Sequence, residues 1–290
     1  MQIADNNARI IELLGGVFVK RLLGMLGCVL LSAVAVAQTP SDLLKAPDIA
    51  AIQSRGILRV AMTHDDQPPF YSVNSSGELV GLDVYLADKL AAALNVKPVF
   101  IRDFPNFNDV VTGVEKGEAD VAISKLSRTL KRAQAVRYSQ PYITFHQALL
   151  LNRLQIAKIT TESGIKSFIR NFRGKIGVIA DSSYVSYAHA NFPHAEVVPF
   201  DTWNQVVDAV LSGKVLAAYR DELECRVVME KYPQASLNLK LVVFKDQTDP
   251  IAIATNWRNQ QLASFVDILL NTLNLRLDVS KILHQDYLKP

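Results

Sequence analysis

The sequence predicts an α/β protein of two similar lobes. Three observations predict it: strand-like and helix-like segments alternate along most of the chain, the alternation stops and restarts near the middle, and one helix–glycine–strand unit occurs in both halves in related letters. The 290-residue length suits two lobes, and 49% hydrophobic with 20% charged residues is ordinary globular composition. The formal net charge is only +3, and no lysine/arginine block is interleaved with aromatics. Both facts argue against nucleic acid as a partner.

The first 37 residues read as an export signal. Lys20 and Arg21 form a positive start, residues 22–36 (LLGMLGCVLLSAVAV) are apolar, and Ala35-Val36-Ala37 is a small-x-small cleavage site before Gln38. The run is short of the roughly 20 residues a membrane span needs. An uncleaved anchor and a lipidated Cys28 are the competing readings. Apolar sequence continuing past Cys28 disfavours the second. Residues 1–18 carry Asp5 and Glu12, out of keeping with a signal, so the true start is expected at Val19, a GUG codon being written as Val when a frame is extended upstream. Cleavage leaves Cys225 without a partner, and its place in a helical pattern predicts a core thiol.

Residues 47–54 predict a helix stopped by Gly56, and 57–63 (ILRVAMT) a buried strand. A loop follows over 64–69, then short strands 71–73 and 78–80 around the Asn-Ser-Ser-Gly turn. Leu82, Leu86, Leu90 and Leu94 give 82–94 a helical period. A strand (98–102), a helix (108–116, ended by Gly117) and a strand (119–123) complete the first series. The second runs strand 175–180, helix 182–190, strand 196–199, helix 202–211 and strand 215–219. FNDVVTGVEKG from Phe107 and WNQVVDAVLSG from Trp203 share Asn, three Val and the closing Gly behind an aromatic, which suggests duplication. Ligands of open α/β sheets sit beyond the carboxyl ends of the strands. Two facing lobes therefore put residues 124–127 and 220–221 on opposite walls of one cleft.

The segments GILRVAM, QPPFYSVNSSGELVGLDVYLADKLAAAL, GEADVAISKLSRTLKR and YSQPY together resemble the bacterial extracellular solute-binding proteins of polar amino-acid uptake, family 3. The likeness runs from about Gly56 to the C-terminus. It implies a type II Venus-flytrap fold with the ligand in the interlobe cleft. The expected organisation is a signal peptide over 1–37, lobe 1 over 38–150, lobe 2 over 151–248 and a return to lobe 1 over 249–290. The crossings fall near residues 147–152 and 250–255.

The resemblance also implies a ligand set. Arg132 matches the arginine that holds the ligand carboxylate, a task a planar guanidinium performs bidentately. Ser127 matches a ligand-contacting hydroxyl, and otherwise would cap the next helix. Asp221 matches the ammonium-binding aspartate, an acceptor suited to that charge, and could equally be an N-cap. Ser182 and Ser183 match a turn at a helix N-terminus that favours an anion, with Asp181 replacing the usual glycine. Phe107 matches an aromatic packed on the ligand. Gln67 stands where many relatives have a second aromatic, and Lys125 where many have a small residue. His64, Asp65 and Asp66 could read a cationic ligand side chain, and Lys125 or Arg128 an acidic one. The implied activity is capture of an amino acid or similar small carboxylate in the periplasm by a monomer that delivers it to an ABC permease, with no cofactor or metal.

Two other classes compete. Exported dehydratases acting on cyclohexadienyl acids share the fold and use a lobe 2 glutamate as general acid, where Glu224 stands. The plainer expectation makes Glu222 and Glu224 ordinary surface charges of a helix's first turn. A ligand sensor acting through a separate partner is the third class. No metal-ligand spacing, phosphate loop or nucleophile-elbow motif occurs.

Overall fold

The computed structural model describes residues 45–161, 164–231 and 235–284. The expected signal segment, Val19, Cys28 and the cleavage site lie outside the described residues. From Ala46 onward the chain forms one compact unit.

In chain order, α1 (Pro47–Arg55) begins with proline in its first turn and ends at Gly56, whose φ of 73° is the left-handed conformation a helix C-cap uses. β1 (Ile57–Thr63) leads to the hairpin of β2 (Ser72–Val73) and β3 (Leu79–Val80), then α2 (Leu82–Ala93), β4 (Lys97–Phe104), α3 (Phe107–Lys116) and β5 (Val121–Ala122). A 3₁₀ turn over Arg132–Gln134 precedes β6 (Val136–Tyr138) and the long β7 (Ile143–Asn152). α4 (Arg153–Ile159), α5 (Ile165–Arg170), β8 (Lys175–Ile179), α6 (Ser183–Asn191), β9 (Glu196–Phe200), α7 (Trp203–Leu211), β10 (Ala217–Asp221) and α8 (Glu222–Lys231) follow. α9 (Ala235–Asn238), β11 (Leu239–Ile251), β12 (Ala254–Asn256), α10 (Gln260–Leu273) and α11 (Val279–Leu283) complete the described chain.

The strands form two five-stranded sheets, ordered β4-β1-β5-β12-β6 and β11-β7-β10-β8-β9. β1 runs parallel to β4 and β5, and β8 parallel to β9 and β10, as alternating strands and helices require. Each sheet has its own core. Leu58, Val60, Met62, Leu86, Leu90 and Val266 belong to the first; Leu149, Leu151, Ile176, Val178 and Tyr219 belong to the second. The expected two-lobed α/β architecture is thus present.

β7 and β11 join the lobes and have no counterpart among the expected elements. They pair antiparallel from Ile143↔Ile251 to His146↔Thr248, are interrupted by an irregularity, and resume from Ala148↔Val243 to Asn152↔Leu239. One end packs in the first core through Ile143, Phe145 and Ile251, and the other in the second through Leu149 and Leu151. This pairing also corrects one element. The strand expected at 215–219 lies two residues later, because β10 continues alongside β7 to the pair Asp221↔Gln147. Cys225 is a buried free thiol against Ala148.

Candidate functional site: the interlobe cavity

Three tight local structures bring polar groups to the gap between the lobes. The first is the turn after β5. Lys125 has φ of 46°, a left-handed backbone that a lysine adopts only at a cost. The buried Asp83 of α2 holds this turn, accepting from the Lys125 N–H at 2.5 Å and from Tyr142 Oη at 2.7 Å. The second is the turn before α6, where Asp181 takes φ of 53° in place of the expected glycine. The third is the loop carrying Gln67. Its Pro69 and Phe70 carbonyls accept from the first N–H groups of α2. Gly81 permits that approach: with φ of 134°, a Cβ there would lie 2.2 Å from the Phe70 carbonyl oxygen.

The cavity is lined by Phe107, Lys125, Ser127, Arg132, Ser182, Ser183 and Asp221, so the structure brings together all the expected ligand residues except Gln67. Gln67 lies in the adjoining groove, where its Oε1 accepts from Arg220 Nη2 at 2.9 Å. By the centre of a water-sized sphere the cavity measures about 20 Å³, room for one or two waters. The lobes are in direct contact across it.

Arg132 is buried. Its Nε and Nη2 donate to Asn108 Oδ1 at 3.2 and 3.1 Å, and its Nη1 to the Ser127 carbonyl at 3.3 Å. Among the described residues no carboxylate oxygen lies within 4.0 Å of this guanidinium, so it forms no ion pair. Burial draws it below its usual pKa, against the opposing influence of Tyr138 and Asp249. Ser127 Oγ donates to Asp249 Oδ2 at 3.1 Å and accepts from Ser183 Oγ at 2.8 Å, a bond between the lobes. Ser182 caps nothing; its hydroxyl donates to the Ile179 carbonyl at 2.6 Å.

Lys125 crosses the gap. Its Nζ lies 2.9 Å from Asp221 Oδ2 and 2.6 Å from Glu224 Oε1, with a side chain only 3% exposed. The rings of Phe70 and Phe145 flank it at 5.1 and 5.8 Å. Arg220 adds weaker contacts, 3.6 Å to Asp221 and 3.8 Å to Glu224, and its Nη1 is buried without a partner. Burial pushes the Asp221 carboxyl up, yet Lys125 and Arg220 together outweigh burial and hold it below the ordinary carboxylate range. Asp221 also caps α8, accepting from the Glu224 N–H at 3.1 Å. The N-cap reading of this aspartate is thus present, and the cation its carboxylate meets is Lys125 of the chain itself.

This geometry overturns the expectation for Glu224. It is 7% exposed and bound to a lysine of the other lobe, not a surface charge. α8 starts directly after Asp221, with no intervening loop, so its first turn faces the gap. At the cleft mouth His64 Nε2 lies 3.1 Å from Asp65 and Arg102 Nη2 lies 2.8 Å from Asp66. Arg128 donates to the Ser139 carbonyl and lines a separate groove.

Sequence reasoning placed Arg220 on the cleft wall but gave it no role, and it missed Asp249 as a cavity group. Burial, then the nearby Asp221, pushes the Asp249 carboxyl up to about 6. The usable signal for Asp249 was its place immediately ahead of the apolar run from Pro250. Arg220 had one in its adjacency to Asp221. Among the described residues no cluster of three metal-ligating side chains occurs, and no helix is long and apolar enough to cross a membrane.

The model of the bacterial extracellular solute-binding proteins, family 3, matches residues 58–282. The histidine-binding periplasmic protein of Escherichia coli (strain K12) is 26% identical over 57% of this chain and 61% of its own length, so the match leaves more than a third of that relative uncovered. The amino-acid-binding protein AabA of Dichelobacter nodosus is 26% identical over 77% of this chain and 84% of its own. Among solved structures, an ancestral amino acid-binding protein described as a precursor of cyclohexadienyl dehydratase aligns with a TM-score of 0.65 at 23% identity, covering 82% of this chain and 98% of that one. An arginine-bound amino acid substrate-binding protein of Streptococcus pneumoniae aligns at 0.65 and 24%, covering 82% and 97%. At these identities the structures speak to the fold alone.

Proposed function

Because the chain belongs to the bacterial extracellular solute-binding proteins of family 3, we propose that it is an exported, periplasmic protein that captures an amino acid or similar small carboxylate by lobe closure and delivers it to an ABC permease. The observation that carries this reading is Arg132, a buried guanidinium at the interlobe cavity with no carboxylate partner. A ligand carboxylate would supply that missing charge, in the bidentate geometry a guanidinium favours.

The distribution of the contacts supports closure. Arg132 and Ser127 come from the first lobe, Ser183 and Asp221 from the second, and β7 with β11 is the connection about which the lobes would separate. The cavity between the touching lobes has room for a water or two, so a solute enters with the lobes apart and is held with them farther apart than here. Contacts from both walls then favour the closed form, which is how a ligand shifts an open–closed equilibrium.

The dehydratase reading gains little. Glu224 would have to donate a proton, but its carboxylate accepts from Lys125 at 2.6 Å.

A thermal-shift panel of the common amino acids and small carboxylates tests the proposal. A solute at 100 times its Kd should stabilise by about 2.7 kcal/mol. No shift with any compound at millimolar concentration would refute it.

A further inference from the structure

The cavity contains a complete ammonium cage, and the protein's own Lys125 occupies it. Asp221 and Glu224 supply the carboxylates, and Phe70 and Phe145 the ring faces. This lysine is not a loose surface chain that a solute could brush aside. Its backbone is fixed in the left-handed region by the bond from its N–H to Asp83, and its ammonium is buried. A solute ammonium entering here would have to expel Lys125 from both acids. That would leave one of two like charges unpaired in a site withdrawn from water, an expensive arrangement.

The cationic donors stand differently. Arg132 bonds only to neutral oxygens, and Arg220 has a buried Nη1 with no partner. The remaining cavity carboxylate, Asp249, already accepts from Ser127 at 3.1 Å and from Tyr187 at 3.3 Å. Lys125, Arg132 and Arg220 face Asp221, Glu224 and Asp249. Burial and the neighbouring Asp221 raise the Asp249 carboxyl to about 6, so an excess positive charge for an anion to balance develops as the pH falls through that value.

We propose that the solute of this protein is a small carboxylate without an α-ammonium group, such as a hydroxy acid or a simple mono- or dicarboxylate. The inference rests on the binding reading above and narrows its ligand class. The acid end meets Arg132, an oxygen at the other end can meet Arg220 Nη1, and the position an amine would take belongs to Lys125.

The test is calorimetry with matched sets that differ only at the α-carbon: L-glutamate, 2-hydroxyglutarate and glutarate; L-leucine, 2-hydroxyisocaproate and isocaproate; L-phenylalanine, phenyllactate and phenylpropionate. The wild type should bind at least one amine-free compound tenfold or more tighter than its amino acid. Lys125→Gly removes the ammonium and suits the left-handed backbone, so the variant keeps its turn. It should lose that preference or reverse it. An amino acid bound by the wild type as tightly as its amine-free partners would overturn the inference and leave the binding reading standing. So would a Lys125→Gly protein that keeps the full wild-type preference. Binding of none of the compounds would overturn the inference together with the reading beneath it.

Discussion

Replacing Arg132 by alanine should nearly abolish solute binding. In the structure Arg132 is 6% exposed, and its guanidinium donates to Asn108 Oδ1 and the Ser127 carbonyl without an ion pair among the described residues. Truncating one partner of a buried charged pair costs about 2–5 kcal/mol, because the other partner is left unpaired. At 1.4 kcal/mol per tenfold, Kd should rise by roughly thirty- to several-thousand-fold. Arg132→Lys should recover only part of the loss, having the charge but not the planar fork. The structure adds a cost without ligand: the variant strands the Asn108 and Ser127 acceptors, so the unliganded protein should lose about 1–3 kcal/mol of stability. Calorimetry on the folded variants, with whichever solute the panel identifies, separates the two effects. A Kd for Arg132→Ala within threefold of wild type would remove Arg132 from the site.

Other expectations can be checked separately. Burial pushes the Asp83 carboxyl up from its ordinary 3.8 to about 7, so the folded protein holds a proton that the unfolded chain releases. Stability contributed by that proton is lost as pH rises from about 4 to about 7, by about 4 kcal/mol at 1.36 kcal/mol per unit. Asp83→Asn mimics the protonated acid, so urea unfolding should show the variant gaining on wild type across that window; a constant difference would refute the assignment. Glu224→Gln should cost about 1–3 kcal/mol by weakening the hold on Lys125, and the wild type should not turn over prephenate or arogenate. Turnover that Glu224→Gln abolishes would make the protein an enzyme. Mass spectrometry of the exported protein should find its N-terminus at or near Gln38 and no diacylglycerol on Cys28; an intact 22–36 segment would contradict the signal assignment.

Much of the scaffold was legible because it rests on local physics. Gly56 and Gly117 end helices where left-handed caps are needed, and the leucine spacing of α2 follows from one buried face. β7 and β11 were not legible. Their strand character comes from pairing across about a hundred residues, and they border two cores, so no single hydrophobic period marks them. β10 ran on to Asp221 for the same reason.

The sequence by itself determined the two α/β lobes, the alternating strands and helices that open each, and a set of residues that meet at one cavity, because caps, turns and amphipathic periods act within a few positions of the chain. Only the tertiary structure decided the charges of that cavity. Lys125 and Glu224 lie far apart in sequence, on opposite lobes, and their pairing at 2.6 Å exists only when the lobes meet. A lysine in a turn and a glutamate in a first helical turn look like solvated charges until water is excluded from both. Burial then forces each to find a partner, and the partner it finds is the other.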